Sequence, residues 1–201
     1  DIDAISPYQD QIEAIILPKT QSFDFLATLA PMIDFSNKLV PLIETPRAID
    51  TVTQIAAFKD VVGLFFGAAD SSASLGCKLA WEPLLYARQK VVLAAAMYNL
   101  FTIDAPFFYI DDKEGLKNEA EAVKNLGFTG KAAIHPDQID FINESFAPTS
   151  EEIAEGKKVL EEYQKSGGGA VKIDGQMVDE PIAEAMRLKI SLGEEESENK
   201  D

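Results

Sequence analysis

LVPLIETPRAIDTVTQIAAFKDVVGLFFGAAD, residues 39–70, decides how this chain is read. Its opening apolar run, Leu39–Ile43, has the length of a buried strand and stops at Glu44. Thr45 offers a side-chain oxygen to cap a helix, and Pro46 suits the first turn, where its missing N–H would have had no partner. Ile49, Val52, Ile55 and Ala56 recur at helical spacing, which predicts one apolar stripe. A second apolar run, Val61–Phe66, stops at Gly67-Ala68-Ala69-Asp70. Two consecutive strand–helix units place Glu44 and Asp70 just past the ends of neighbouring parallel strands, the edge where α/β folds build their sites. Two carboxylates converging there, with no basic residue beside Asp70, suit a hard divalent cation with oxygen ligands, such as Mg²⁺. Acids at strand ends also serve as helix caps or solvated loop residues, so the pair gains weight only from the rest of the chain.

Working outward, Ala14–Leu17 reads as a strand ended by Pro18-Lys19, and Ser22 caps a helix over Phe23–Ala30. Lys19 either faces the site or stands as a solvated rim charge. After Asp70, the small residues Ser71–Gly76 predict a loop that lets backbone approach a ligand closely. Glu82–Asn99 is a long apolar-rich helix expected to pack on a sheet, and Phe101–Ile103 a strand leading into Asp104-Ala105-Pro106. Lys113–Leu126 is amphipathic, with Leu116, Ala120, Val123 and Leu126 on one stripe and Gly127 as its stop. Ala132–Ile134 is a further strand ending at His135, and Pro136–Phe146 a further helix.

Five strands, each with a helix after it, are the alternation of βαβ units on a parallel sheet. Neither a Gly-x-Gly-x-x-Gly turn nor a P-loop is present in the sequence, which disfavours a dinucleotide-binding fold. Barrel geometry fits better, but closure needs eight strands. The expected fold class is therefore α/β, the last five units of a TIM (β/α)8 barrel over residues 1–148. Past Pro148, Ser150 caps a charged helix, Gly167-Gly168-Gly169 breaks it, and Ala170–Val178 reads as a hairpin about Asp174-Gly175. A last helix over Ile182–Leu192 follows Asp179-Glu180-Pro181. This extension, residues 149–193, is expected to be too small for a core of its own and to pack on the barrel or on another subunit. Residues 194–201 (EEESENKD) read as a disordered acidic tail.

The composition sets limits. A net charge of −16 argues against a nucleic-acid partner, which would need clustered Lys and Arg. The one cysteine, Cys77, allows neither an internal disulfide nor a cysteine-based metal site, so a reducing, cytoplasmic setting is expected. No apolar run reaches membrane-spanning length, and no membrane partner is expected. The chain opens without Met and without a signal-peptide pattern.

VPLIET, FGAAD, the AR of YARQKVV, IDAPF, LGFTGKAAIHPDQI and DGQMVD stand in an order and spacing that resemble the citrate lyase β-subunit-like proteins. These belong to the aldolase superfamily that also holds malyl-CoA and citramalyl-CoA lyases. The resemblance runs from about residue 1 to residue 190. It implies that Glu44 and Asp70 are Mg²⁺ ligands and that Gly67, Ala68 and Ala69 line the substrate. Asp179 matches a catalytic acid that, in such proteins, reaches into a neighbouring subunit's site. Lys131 and His135 match positions near the channel for a thioester substrate; for His135 a satisfied core histidine is the competing reading. Arg88 is a family position too, read as structural from its apolar helix. The resemblance also implies three further strands ahead of Asp1, carrying an arginine that grips the substrate carboxylate.

The expected reaction is a Mg²⁺-dependent retro-Claisen cleavage of a citryl-, malyl- or citramalyl-type thioester, on CoA or an acyl carrier protein, into a keto acid such as oxaloacetate and an acyl thioester. A shared site implies a homo-oligomer, a trimer in such proteins. Two other readings stay open: a CoA-independent class II pyruvate aldolase, and a non-catalytic barrel fragment or subunit.

Overall fold

The computed structural model describes residues 6–32, 39–167 and 169–198. Residues 1–5, Gly168 and residues 199–201 carried expectations from the sequence and lie outside those described. Among the described residues no helix is long and apolar enough to cross a membrane. The chain divides into two compact units, Asp1–Ile142 and Asn143–Asp201. That boundary falls inside a helix, earlier than the one expected at Pro148.

Five strands build the first unit: β1 (Ile15–Leu17), β2 (Leu39–Ile43), β3 (Gly63–Phe66), β4 (Phe101–Asp104) and β5 (Gly130–Lys131). They pair in chain order and all in parallel, with Leu17 opposite Pro41, Ile43 opposite Phe66 and Asp104 opposite Lys131. Every strand therefore delivers its C-terminal residue to the same edge. Between strands run α1 (Phe23–Leu29), the short α2 (Pro46–Asp50) and α3 (Val52–Ala56), then α4 (Ala68–Leu75), α5 (Trp81–Met97) and α6 (Lys113–Leu126); α7 (Ile139–Phe146) follows β5. This is the βαβ repetition expected from the sequence.

The core follows the apolar patterns. Leu39, Val40, Ile43, Leu64 and Phe66 of the sheet are buried, as are Leu26, Val52, Ile55, Leu84, Val91, Ala120 and Val123 of the helices. Each large aliphatic side chain so placed stabilises the fold by about 1.5–3 kcal/mol before conformational entropy is counted. Ser22 and Thr45 cap α1 and α2 through their side chains, as expected.

Three local expectations are corrected. Ser71–Gly76 is not a loop: α4 runs from Ala68 to Leu75 and ends at Gly76 in a left-handed conformation. Alanine and serine are compatible with a helix, and the flanking glycines serve as its ends rather than marking a flexible segment. The strand expected at Ala132–Ile134 lies earlier, at Gly130–Lys131, because Gly130 and Lys131 pair with Ile103 and Asp104. The segment Pro136–Phe146 opens as a 3-10 turn over Pro136–Gln138 before α7 begins.

The second unit holds α8 (Ser150–Lys165), the antiparallel pair β6 (Val171–Ile173) and β7 (Gln176–Val178), and α9 (Glu180–Glu198). Thr149, not Ser150, caps α8, in a reciprocal box with Glu152. Asp174 and Gly175 turn the hairpin at φ values of 46° and 91°, the paired positive angles an Asp-Gly turn supplies. Contrary to expectation, this unit has a small core of its own: Val159, Tyr163, Ile173, Val178 and Ala183 are buried together. The hairpin contributes one inward residue per strand, and both helices contribute inward-facing positions. Helical geometry in α9 continues through Glu198, into the stretch expected to be a disordered tail. Glutamate is a good helix former, and composition alone did not account for that.

Candidate active site

The C-terminal edge of the sheet brings three charged side chains together. Glu44 follows β2 and is 3% exposed. Asp70 stands in the first turn of α4, where the helix dipole favours a negative charge. Lys19 follows β1, and its ammonium donates a short hydrogen bond to Asp70 Oδ1 while lying 3.7 Å from Glu44 Oε1. The Lys19 backbone N–H also donates to Glu44 Oε1 at 2.7 Å. That geometry puts Lys19 at φ 55°, a left-handed conformation uncommon for a residue with a side chain. Asp70 holds the Lys19 ammonium above the usual lysine value, with Glu44 adding to the effect and partial desolvation opposing it.

The expectation that no basic residue stands near Asp70 is therefore corrected. The two acids do converge, and what they converge on is a positive charge. Gly67 makes this possible. A Cβ at position 67 would lie 2.6 Å from Glu44 Cβ and 3.1 Å from its Oε2, so only glycine lets Glu44 lie where it does. The Gly67 N–H is spent on Ile43 O at 2.9 Å, which makes this glycine a spacer rather than a donor. The N–H groups of Ala68 and Ala69, in the first turn of α4, have no partner within the helix.

The chemistry of the donor set suits a hard divalent cation. Two carboxylates, one just past β2 and one in the first turn of α4, share one cationic neighbour. Among the described residues no third His, Cys, Asp or Glu joins them in a metal-binding group. One or two carboxylates, with the remaining positions filled by substrate and water, is the ordinary way a protein holds Mg²⁺.

The other expected residues stand elsewhere. Lys131 does not face an open channel: its side chain is fully buried, and Nζ donates to Asp104 Oδ2 at 2.9 Å, Glu119 Oε1 at 2.7 Å and the Ala105 carbonyl at 2.7 Å. All three of its donors are used, so it is a positioning group. Asp104 is shared with Arg88, whose Nε lies 2.7 Å from Oδ1 and whose guanidinium sits over the rings of Phe66 and Trp81. Sequence reasoning missed this network. The signal was an arginine on the apolar side of a helix, since a buried charge requires a partner. His135 is not a core histidine: its side chain is 42% exposed, and Nδ1 accepts from the Asp137 N–H at 3.2 Å at the head of the 3-10 turn. Asp179 belongs to the second unit, where its Oδ1 accepts from the Ile182 N–H at 3.4 Å and caps α9.

Comparison with known proteins gives a consistent set of relatives. The family described as HpcH/HpaI aldolase/citrate lyase matches residues 3–136. The citrate lyase subunit beta of Haemophilus influenzae is 30% identical over 93% of this chain and 70% of its own length. The human mitochondrial citramalyl-CoA lyase is 31% identical over 89% of this chain and 59% of its own length. Among solved structures, protein CitE of Mycobacterium tuberculosis in complex with magnesium, acetoacetate and coenzyme A aligns with a TM-score of 0.80 at 30% identity, over 90% of this chain and 68% of that one. The chain thus spans about three fifths to seven tenths of these relatives.

Proposed function

The chain belongs to the HpcH/HpaI aldolase/citrate lyase family, and from that premise we propose that it serves a Mg²⁺-dependent carbon–carbon lyase acting on a 3-hydroxyacyl thioester of the citryl, malyl or citramalyl type. The observation that carries the reading is the convergence of Glu44 and Asp70, from two neighbouring strand ends, on one cationic point. The relatives named above include lyases of this class and a protein solved with magnesium and coenzyme A.

Glu44 and Asp70 would hold the metal. The ion supplies Lewis-acid polarisation of the substrate oxygens and orients the bond to be broken. Around it this chain's own groups act as follows. The first-turn N–H groups of Ala68 and Ala69 bind an anionic end of the substrate at the positive end of α4. Gly67 keeps the floor open beside Glu44. His135 stands at the same edge of the sheet with Nε2 not used in its cap, and we assign it to the substrate's approach. Lys131 fixes Asp104 and, through it, the Arg88 side chain. In the retro-Claisen step the substrate hydroxyl loses its proton as the carbon–carbon bond breaks. A keto acid such as oxaloacetate leaves, and the acyl thioester carbon takes up a proton.

We assign that last proton to Asp179, delivered to the site of a neighbouring copy, which makes the working form a homo-oligomer such as a trimer. The thioester is carried on CoA or an acyl carrier protein, and the single cysteine suits a cytoplasmic setting. The test is keto-acid release from a panel of acyl thioesters with and without Mg²⁺. Glu44→Gln and Asp70→Asn should each abolish the metal-dependent release and weaken Mg²⁺ binding in calorimetry. Release at the parent rate in either variant would overturn the assignment of the metal ligands. Asp179→Asn should leave Mg²⁺ binding intact and stop turnover; unchanged turnover removes it from the mechanism.

A further inference from the structure

A cavity of about 30 Å³ is lined by Ala68, Leu84, Arg88, Phe107, Tyr109 and Glu119 among others. It has room for one or two groups the size of a water molecule. Its walls are mostly aliphatic and aromatic, and its charged groups are Arg88, a residue only 3% exposed, and Glu119, whose carboxylate accepts from Lys131 Nζ at 2.7 Å. The guanidinium clamps Asp104 side-on, Nε to Oδ1 at 2.7 Å and Nη2 to Oδ2 at 3.5 Å. The rings of Phe66 and Trp81 lie over it at 5.2 and 4.8 Å. With one edge taken by Asp104 and its plane covered by rings, the remaining edge is Nη1. That atom is buried and has no hydrogen-bond partner among the described residues. A buried donor left unpaired is costly, and a native protein keeps one where something else supplies the acceptor.

Local charge decides what kind of acceptor fits. Arg88 and Lys131 are matched by Asp104 and Glu119 in one connected network, two cations to two anions. An incoming carboxylate would bring an unmatched charge into a buried place, whereas a neutral oxygen brings none. Ala68, on the cavity wall, directly follows Gly67, which packs on Glu44, so the first turn of α4 links the cavity to the carboxylate pair.

We propose that this cavity seats the neutral carbonyl oxygen of a short acyl group, with Arg88 Nη1 donating the hydrogen bond. Resting on the lyase reading, this oxygen is the thioester carbonyl of the substrate's acyl portion. A preorganised N–H at that oxygen also favours the negative charge that grows on it as the carbon–carbon bond breaks.

Trp81, the chain's one tryptophan, stacks on Arg88 and reports on the seat directly. The probe is S-acetyl-N-acetylcysteamine, a small neutral thioester, titrated into the full chain in EDTA while Trp81 emission is followed. A saturable change is expected, with acetate binding at least tenfold more weakly. Ala80→Leu, which adds bulk at an exposed position of the cavity wall, should weaken the thioester at least tenfold. Arg88→Lys, which keeps the charge and loses the forked donor, should do the same. No saturable change, an Ala80→Leu variant that titrates like the parent, or acetate binding as well as the thioester would each overturn the proposal. Mg²⁺ calorimetry on the same preparation, after the EDTA has been dialysed away, separates the two claims. A chain that binds Mg²⁺ but gives no thioester response fails here alone, and one that responds without binding Mg²⁺ fails the lyase reading.

Discussion

Lys19 spans the two acids with one side chain, and its ammonium competes for the place a divalent cation would take. A doubly charged ion interacts about twice as strongly with each carboxylate at a given distance, so it displaces the lysine rather than joining it. Removing the ammonium should therefore raise metal affinity: Lys19→Met is expected to bind Mg²⁺ several-fold more tightly in calorimetry, and unchanged or weaker binding would show that the lysine does not compete. Gly67 acts by its lack of a side chain. Gly67→Ala puts a methyl group 2.6 Å from Glu44 Cβ, an overpacking expected to cost about 1–3 kcal/mol in urea unfolding. Glu44 must move, so Mg²⁺ affinity should fall at least tenfold; parent-like affinity would mean that Glu44 is not a ligand. Glu44 and Asp70 were legible in the sequence as acids ending two apolar runs. Lys19 was legible only as an ambiguous charge, because its partners lie 25 and 51 residues away and no local pattern encodes such a pairing.

Elements were read well where period and ends agreed. The helix at Lys113–Leu126 has the bounds its stripe and its Gly127 stop predict. Leu39–Ile43 is likewise a strand with the bounds of its apolar run. They were misread where composition was asked to stand in for geometry, as at Ser71–Gly76, where small residues form α4. β5 was misplaced because its apolar residues follow the strand, while Lys131 within it is buried by partners on β4 and α6. The second unit's core was missed because Val159, Tyr163, Ile173 and Val178 come from three elements, none apolar enough alone. Its acid sensitivity is also an element-scale property. Arg187, and after it Tyr163, holds the Glu180 carboxyl below its ordinary value. A depressed carboxyl stabilises the folded state above its unfolded value, and that contribution is lost as pH falls through the folded one. Stability measured by urea should therefore decline below about pH 4.5 with a slope that Glu180→Gln reduces. An unchanged slope would remove this group from the acid transition.

At the scale of the whole molecule, parallel pairing in chain order is what turns separate residues into a site. It delivers Lys19, Glu44, Asp70, Asp104 and Lys131 to one edge from five consecutive strand ends. Of these, the first three converge on one point, the Lys19 ammonium between the two carboxylates, and the last two, with Arg88 and Glu119, form a largely buried ion-pair network. The sequence conveyed the alternation and hence the edge. It could not convey the division of labour along it, which depends on burial. The most direct measurement is a crystal structure of the chain grown with Mn²⁺ in place of Mg²⁺, with the ion located by its anomalous scattering. The account predicts one peak within ligand distance of both the Glu44 and Asp70 carboxylates, with the Lys19 ammonium displaced from between them. A peak elsewhere, or none with Lys19 still bridging the two acids, would contradict it.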